Sequence, residues 1–285
     1  MNGFYSSIAI PVLIDAIAVL GLYVIASSGR LSIGHAAFFG IGCYVSAILS
    51  TQLALPFWAS IVLGAVAAGV LGLIFALVAE KLSHWFFAIA TLAFSVMLSG
   101  IVSSVESLGG ATGIYGIPIA VDVPAVLVSL AAVLVLVYWV DRSSFGRSLR
   151  AVRDSEIAAE AVGINPRYAH AGAFAIGTAI AGLAGGLWAH YLGVIKPVDM
   201  SLDRSLFFLI YLAVGGIEHW AGALLGTLTL GMLPEVLRFS REYRLAFFGL
   251  LLTGFMALRP SGFLSRQLIN RIAASVGKIW GERRA

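Results

Sequence analysis

Charge and cysteine are the scarce materials in this chain. Asp, Glu, Lys and Arg together make up 11% of its 285 residues, where a soluble domain carries about 25%. A water-covered surface cannot be built from so little charge, which excludes an ordinary soluble fold. The single cysteine, Cys43, lies inside an apolar run, so there is no internal disulfide framework and the thiol reads as a packing residue. Catalytic signatures are missing as well. There is no GxxxxGK[ST] phosphate loop, no HExxH, no GxSxG elbow and no metal-spaced Cys/His cluster. Nucleotide hydrolysis, metal binding and covalent catalysis by this chain alone are not expected.

Apolar residues are abundant: 60% of the chain, with 32 glycines and a mean hydropathy of +0.98. That composition belongs to an integral membrane protein. The net charge of +4 and pI of 9.4 do not indicate nucleic acid, because the basic residues occupy gaps between apolar runs and the C-terminal end. Such a distribution faces an anionic membrane surface. The first residues, MNGFYSSIAIPVLIDAIAVLGLYVIAS, lack a basic n-region and carry too long an apolar run for a signal peptide. They read as a retained first span.

A bilayer core about 30 Å thick takes about 20 helical residues to cross. On that scale the sequence divides into apolar segments at 7–26, 31–50, 56–79, 84–104, 123–140, 168–192, 205–217, 220–237 and 241–258. The seventh is too short to cross alone and reads as a half-helix or one arm of a re-entrant pair. None alternates with the two-residue period of a barrel strand. The expected fold is an all-α integral membrane protein, a polytopic bundle of about nine transmembrane segments forming one domain over 1–285. Nine crossings with the 141–167 loop inside place 13 Lys and Arg inside and 5 outside; a single crossing by 205–237 gives 10 against 8. The first arrangement obeys the positive-inside bias. It puts the N-terminus outside and both the 141–167 loop and a basic tail, 265–285, in the cytoplasm.

Small residues recur four apart at Ala36 and Gly40, Gly64 and Ala68, Ala68 and Gly72, Gly182 and Gly186, and Gly222 and Gly226. These faces allow close helix approach. Ionisable residues at membrane depth are few: Asp15, His35 and Glu235, with His84 and Glu218 near segment ends. Asp15 is the sharpest functional candidate, since a mid-span carboxylate is costly. Gly109, Gly110, Gly113 and Gly116 mark an outer loop that is flexible or tightly turned.

The stretch GRSLRAVRDSEIAAEAVGI, 146–164, gathers Arg147, Arg150, Arg153, Asp154, Glu156 and Glu160. Leu149, Val152, Ala159 and Val162 give it an apolar stripe, Asp154 or Ser155 can cap a helix running through Ala161, and Gly163 followed by Pro166 can end it. It is expected to form a short amphipathic cytoplasmic helix.

The order Gly146, Arg147, Leu149, Arg150, Ala151, Glu156, Ala158, Ala159, Gly163 resembles the cytoplasmic coupling loop of ABC importer permeases of the branched-chain amino-acid family, LivM type. SIGHAAFFGIGCYVSAIL at 32–49, FFAIATLAF at 86–94, GIYGIP at 113–118, AGLAGGLWAHYLG at 181–193 and ALRPSGFL at 257–264 are similar to segments of that family in the same order. Against the ten-helix plan the family implies, the chain begins one span late, KLSH at 81–84 replaces a more basic stretch, and GGIEHWAGALLG at 215–226 replaces a glycine/serine-rich turn. The resemblance implies an ABC importer permease fold in a bacterial inner membrane, pairing with a second homologous permease, two cytoplasmic ATPase subunits and an external substrate-binding protein. ATP would be used by the ATPases, with no cofactor in this chain. It also implies ATPase coupling through Gly146, Arg147, Arg150, Asp154, Glu156, Ala159, Glu160 and Gly163, and makes Asp15, Ser32 and His35 candidates for a translocation path. The alternative class is an ion-coupled secondary transporter, which needs midplane ionisable residues in repeated halves; Asp15 has no such counterpart.

Overall fold

A computed structural model describes residues 2–236 and Gly249. Apart from Gly249, the expected ninth segment, 241–258, and the tail, 265–285, lie outside the described residues. The helices are α1 (Asn2–Ala26), α2 (His35–Thr51), α3 (Phe57–Val78), α4 (His84–Ser104), α5 (Val123–Arg142), α6 (Ser144–Asp154), α7 (Glu156–Ala161), α8 (Pro166–Leu192), α9 (Leu202–Gly215) and α10 (Trp220–Val236).

Five helices are long and apolar enough to cross a membrane: Ser7–Ala26 within α1, and α3, α4, α5 and α8. Nine crossings are therefore not what the described residues provide, for two physical reasons. The expected 31–50 span starts late, because residues 27–34 fold back into the bundle and α2 has only 17 residues, about 26 Å of helix. The 205–217 and 220–237 segments form α9 and α10, which meet at a 118° bend. At 14 residues, about 21 Å, α9 is too short to cross a membrane alone. Taken together, the two arms raise the number of spans to 6 at most.

The long helix α8 lies at the centre, against α1, α2 and α3. Its start is set by Asn165, whose side chain accepts from Arg167 N at 3.0 Å, and by Pro166 at the first helical position. Gly193, at φ +71°, ends it. Glycine makes its packing possible. A Cβ on Gly185 would strike the Phe39 carbonyl of α2, and one on Gly177 would strike that of Gly21 in α1. Backbones thus approach where side chains would hold them apart, and dispersion supplies the attraction that water provides in soluble folds. Phe38, Phe75, Phe87, Phe94 and Phe174 fill the adjoining space as an edge-to-face and stacked cluster.

The glycine-rich 109–116 segment is tightly turned. Its glycines at 109, 110, 113 and 116 all have positive φ, and it carries β1 (Ile114–Tyr115), paired antiparallel with β2 (Val194–Ile195).

Candidate functional site

Two regions concentrate polar chemistry. The first is the helix pair α6 and α7, at the end of the bundle where α1 and α5 finish and α4 and α8 begin. The 146–164 stretch is not one helix. It breaks at Ser155, whose extended backbone ends α6 and whose hydroxyl accepts from Ala158 N at 3.2 Å to start α7. At the far end Gly163 adopts φ +83°, and Ile164 N donates to Ala159 O at 2.9 Å. The glycine-terminated stop expected from sequence is present.

The break changes which residues face outward. Leu149, Val152 and Ala159 are buried as expected, but Val162 is 74% exposed and Ile157 83% exposed. Ala159, at 2% exposed, points into the protein and offers no surface to a partner. Gly146 is also turned inward, against the carbonyls of Val140 and Asp141. Arg147 is exposed and donates to Arg142 O at 3.0 Å. Asp154 stands 3.7 Å from Arg153, and Glu160 is exposed beside Gly163, Ile164, Asn165 and Pro166, with which it lines a shallow pocket.

Three further ties among the described residues hold this pair to the bundle. Arg150 pairs with Asp141 of α5 at 2.6 Å, and Tyr23 of α1 donates to the same carboxylate oxygen at 3.4 Å. The α6 backbone at Arg153 packs on Gly29, where an added Cβ would lie 3.1 Å from it. Glu156 Oε1 accepts from His170 Nε2 of α8 at 3.1 Å. Beside them Arg30 is buried, donates to Glu80 O at 3.0 Å and lies over the Phe87 ring at 4.8 Å. Burial lowers the Arg30 pKa, and the nearby Glu156 and Glu80 carboxylates oppose that effect. Arg167 closes the group on Glu80 at 2.9 Å.

The second region lies deeper. Residues 27–34 return from the α6–α7 end so that Ile33 N and Gly34 N both donate to Thr91 Oγ1 of α4, at 3.1 and 3.2 Å. Ala36 N donates to Ser205 Oγ of α9 at 3.0 Å. His35 Nε2 donates to Ala18 O at 3.0 Å, eight residues before the end of α1 and thus about 12 Å inside it. The amino end of α2 is therefore buried in the bundle, with side chains of α4 and α9 meeting its free N–H groups. Ser32 Oγ and His35 Nδ1, both fully buried, have no hydrogen-bond partner among the described residues.

Asp15 has a partner that the sequence did not reveal. Arg204, at the start of α9, reaches Asp15 Oδ1 and Asp199 Oδ1, each at 3.3 Å. Its guanidinium lies between the rings of Trp188 and Phe39, 4.0 and 4.1 Å from their centroids, with Phe208 at 5.7 Å. Asp199 also accepts from Trp188 Nε1 at 3.2 Å and Lys196 N at 2.9 Å. Arg204 is thus held by carboxylates and rings of the bundle. Of the sequence candidates, Asp15 and His35 stand on neighbouring helices, linked through Phe208, which meets the His35 ring edge-on at 6.2 Å. Sequence reasoning missed Arg204, Asp199 and His170. The signal available for Arg204 was an arginine that opens a short apolar helix.

Apolar spanning helices, an interior charge centre and a polar helix pair at one end define a multi-pass membrane protein. The family described as branched-chain amino acid transport system / permease component matches residues 4–256, and the chain belongs to that family. It is 28% identical to the high-affinity branched-chain amino acid transport system permease protein LivM of Escherichia coli, over 90% of this chain and 69% of the relative. Identity to the probable branched-chain amino acid transport permease protein LivM of Methanocaldococcus jannaschii is 27%, covering 74% of this chain and 68% of the relative. The LivH permease of Salmonella typhimurium is 31% identical over 51% of this chain and 48% of its own. No solved structure matches.

Proposed function

We propose that the chain is the membrane permease subunit of an ATP-driven importer for branched-chain amino acids or related small polar solutes. Family membership supports permeation. The observation that carries the ATP-driven part is the exposure of Ile157 on α7 and of Val162 immediately after it, two large apolar side chains among charged neighbours. Apolar side chains so placed fit an interface with a protein partner. The partner is one of two ATPase subunits, and the docking surface comprises Ile157, Glu160, Val162 and Gly163, with Arg147 at its edge. Gly146, Arg150 and Ala159 set the shape of that surface from behind.

In this reading the α6–α7 end is cytoplasmic, the C-terminus lies on the same side, and the membrane is the bacterial inner membrane. A second, homologous permease completes the pore, and an external binding protein delivers substrate. ATP is bound and hydrolysed by the ATPases, and this chain holds no cofactor. Asp15, Ser32 and His35, together with Arg204, contribute polar groups to the translocation path. A zwitterionic amino acid offers both signs of charge to a centre built from the Arg204 guanidinium and the Asp15 and Asp199 carboxylates.

The test is co-purification of the ATPase with Ile157→Ser/Val162→Ser, whose altered side chains are exposed and leave the packing untouched. Membrane abundance should be normal while bound ATPase and uptake fall together. Full ATPase retention with normal uptake would place the docking surface elsewhere.

A further inference from the structure

Glu156 stands in the middle of the charged stretch, yet its carboxylate is directed toward the bundle. It opens α7, and its Oε1 accepts from His170 Nε2 at 3.1 Å. The His170 side chain is 5% exposed, while that of Glu156 is 43% exposed. Among the described residues no other side-chain hydrogen bond or ion pair joins α7 to a membrane helix. The helix itself is six residues long, bounded by the extended Ser155 and the left-handed Gly163. A helix so short is not held by its own backbone bonds. Its position depends on Ala159 underneath and on Glu156 at its first turn.

His170 sits in the second turn of α8, and α8 is the helix against which α1, α2 and α3 pack. The crossings are close. Gly177 lies on Gly21 of α1, Gly182 on Gly42 of α2, Gly185 on Phe39 of α2, and Thr178 fills the space over Gly72 of α3. Backbone contacts without intervening flexible side chains transmit displacement with little slack. Movement of α8 at His170 therefore reaches the helices that bear Asp15 and His35. The second neighbour of Glu156 points the same way: Arg30, whose charge it favours, belongs to the 27–34 segment that leads into α2.

We propose that Glu156 and His170 are positioning residues for energy coupling: the pair carries displacement of α7 into α8, and the Glu156 carboxylate serves this internal tie instead of binding the ATPase. The inference rests on the permease reading above and assigns Glu156 a role distinct from the exposed docking side chains. The pair joins two elements that must move together if ATPase closure is to change the bundle. A charge-assisted hydrogen bond between them is the strongest polar link α7 has to a membrane helix.

The experiment uses the full complex, with both permeases, the ATPases and the binding protein, in liposomes, and reads ATP hydrolysed per amino acid imported. Glu156→Ala should retain ATPase co-purification and hydrolysis but lower uptake about tenfold, the scale of one lost charged hydrogen bond. Glu156→Gln should recover part of the uptake, because an amide oxygen still accepts from the imidazole. The exchange Glu156→His with His170→Glu should also exceed Glu156→Ala. Loss of ATPase binding in Glu156→Ala and Glu156→Gln alike would overturn the proposal and make the carboxylate a docking group. An unchanged ratio of ATP to substrate would show that the pair transmits nothing. Glu156 lies at the surface end of a short helix, so its variants decide the matter even where His170 replacements fail to fold. A wild-type complex without ATP-dependent uptake would instead count against the permease reading itself.

Discussion

Asp15, near the middle of α1, and Arg204, in the first turn of α9, are 189 positions apart in the chain and meet at 3.3 Å within the bundle. The contact ties the bent pair α9–α10 to the first helix. It also explains how a carboxylate is tolerated in an apolar span, since an unpaired charge at that depth is costly. Replacing Arg204 by Ala strands Asp15, leaves Asp199 only its Trp188 and Lys196 donors, and opens a gap beside Phe39 and Trp188. Removal of one partner from a buried pair costs about 3 to 5 kcal/mol. Arg204→Ala should therefore lower the thermal midpoint of the detergent-purified protein sharply, and Asp15→Asn should lower it less, because Asp199 still holds the guanidinium. Thermal unfolding checks the order; equal midpoints for wild type and Arg204→Ala would show the pair to be idle.

Helix packing gives a second expectation, with its own control. Gly185 has the Phe39 carbonyl and the Cys43 amide where a side chain would go, whereas nothing lies within 4 Å of a Cβ on Gly100. Gly185→Leu must push α2 and α8 apart, an overpacking cost of about 1 to 3 kcal/mol. Gly100→Ala removes a flexible glycine from the interior of α4 and should stabilise by about 0.5 to 1 kcal/mol. Chemical denaturation in detergent should place the two variants on opposite sides of wild type.

Orientation follows from accessible positions. Arg147 is exposed on α6, and Val198 is 66% exposed beyond the far end of α8; Met200, though in the same loop, is buried and unsuitable. Cysteine at 147 should react with an impermeant thiol reagent only from the cytoplasm, and cysteine at 198 only from outside. The native Cys43 is buried and should stay silent. Labelling of both positions from one side contradicts the topology.

The local features were legible in the sequence because local chemistry determines them. Ser155 as a cap and Gly163 as a left-handed stop follow from residue type and position. The shortness of α9 could be read from its apolar run. The outward turn of Val162 could not, because the apolar stripe assumed one continuous helix and Ser155 resets its phase. Nor could the inward start of α2, since the hydroxyls that receive it, Thr91 and Ser205, lie 57 and 169 positions away from their partners. The partner of Arg204 could not be read either, because composition near an apolar run says nothing about which carboxylate, far along the chain, will meet it. Long-range pairs of this kind arise only when helices pack.

Import driven by ATP is what separates the proposed permease from an ion-coupled transporter. The most direct measurement is accumulation of labelled leucine in liposomes holding the chain with its second permease and ATPases, with binding protein and leucine outside and ATP sealed within. Uptake should require ATP and be competed by isoleucine and valine. Leucine uptake by this chain alone, driven by an ion gradient without ATPases or ATP, would contradict it.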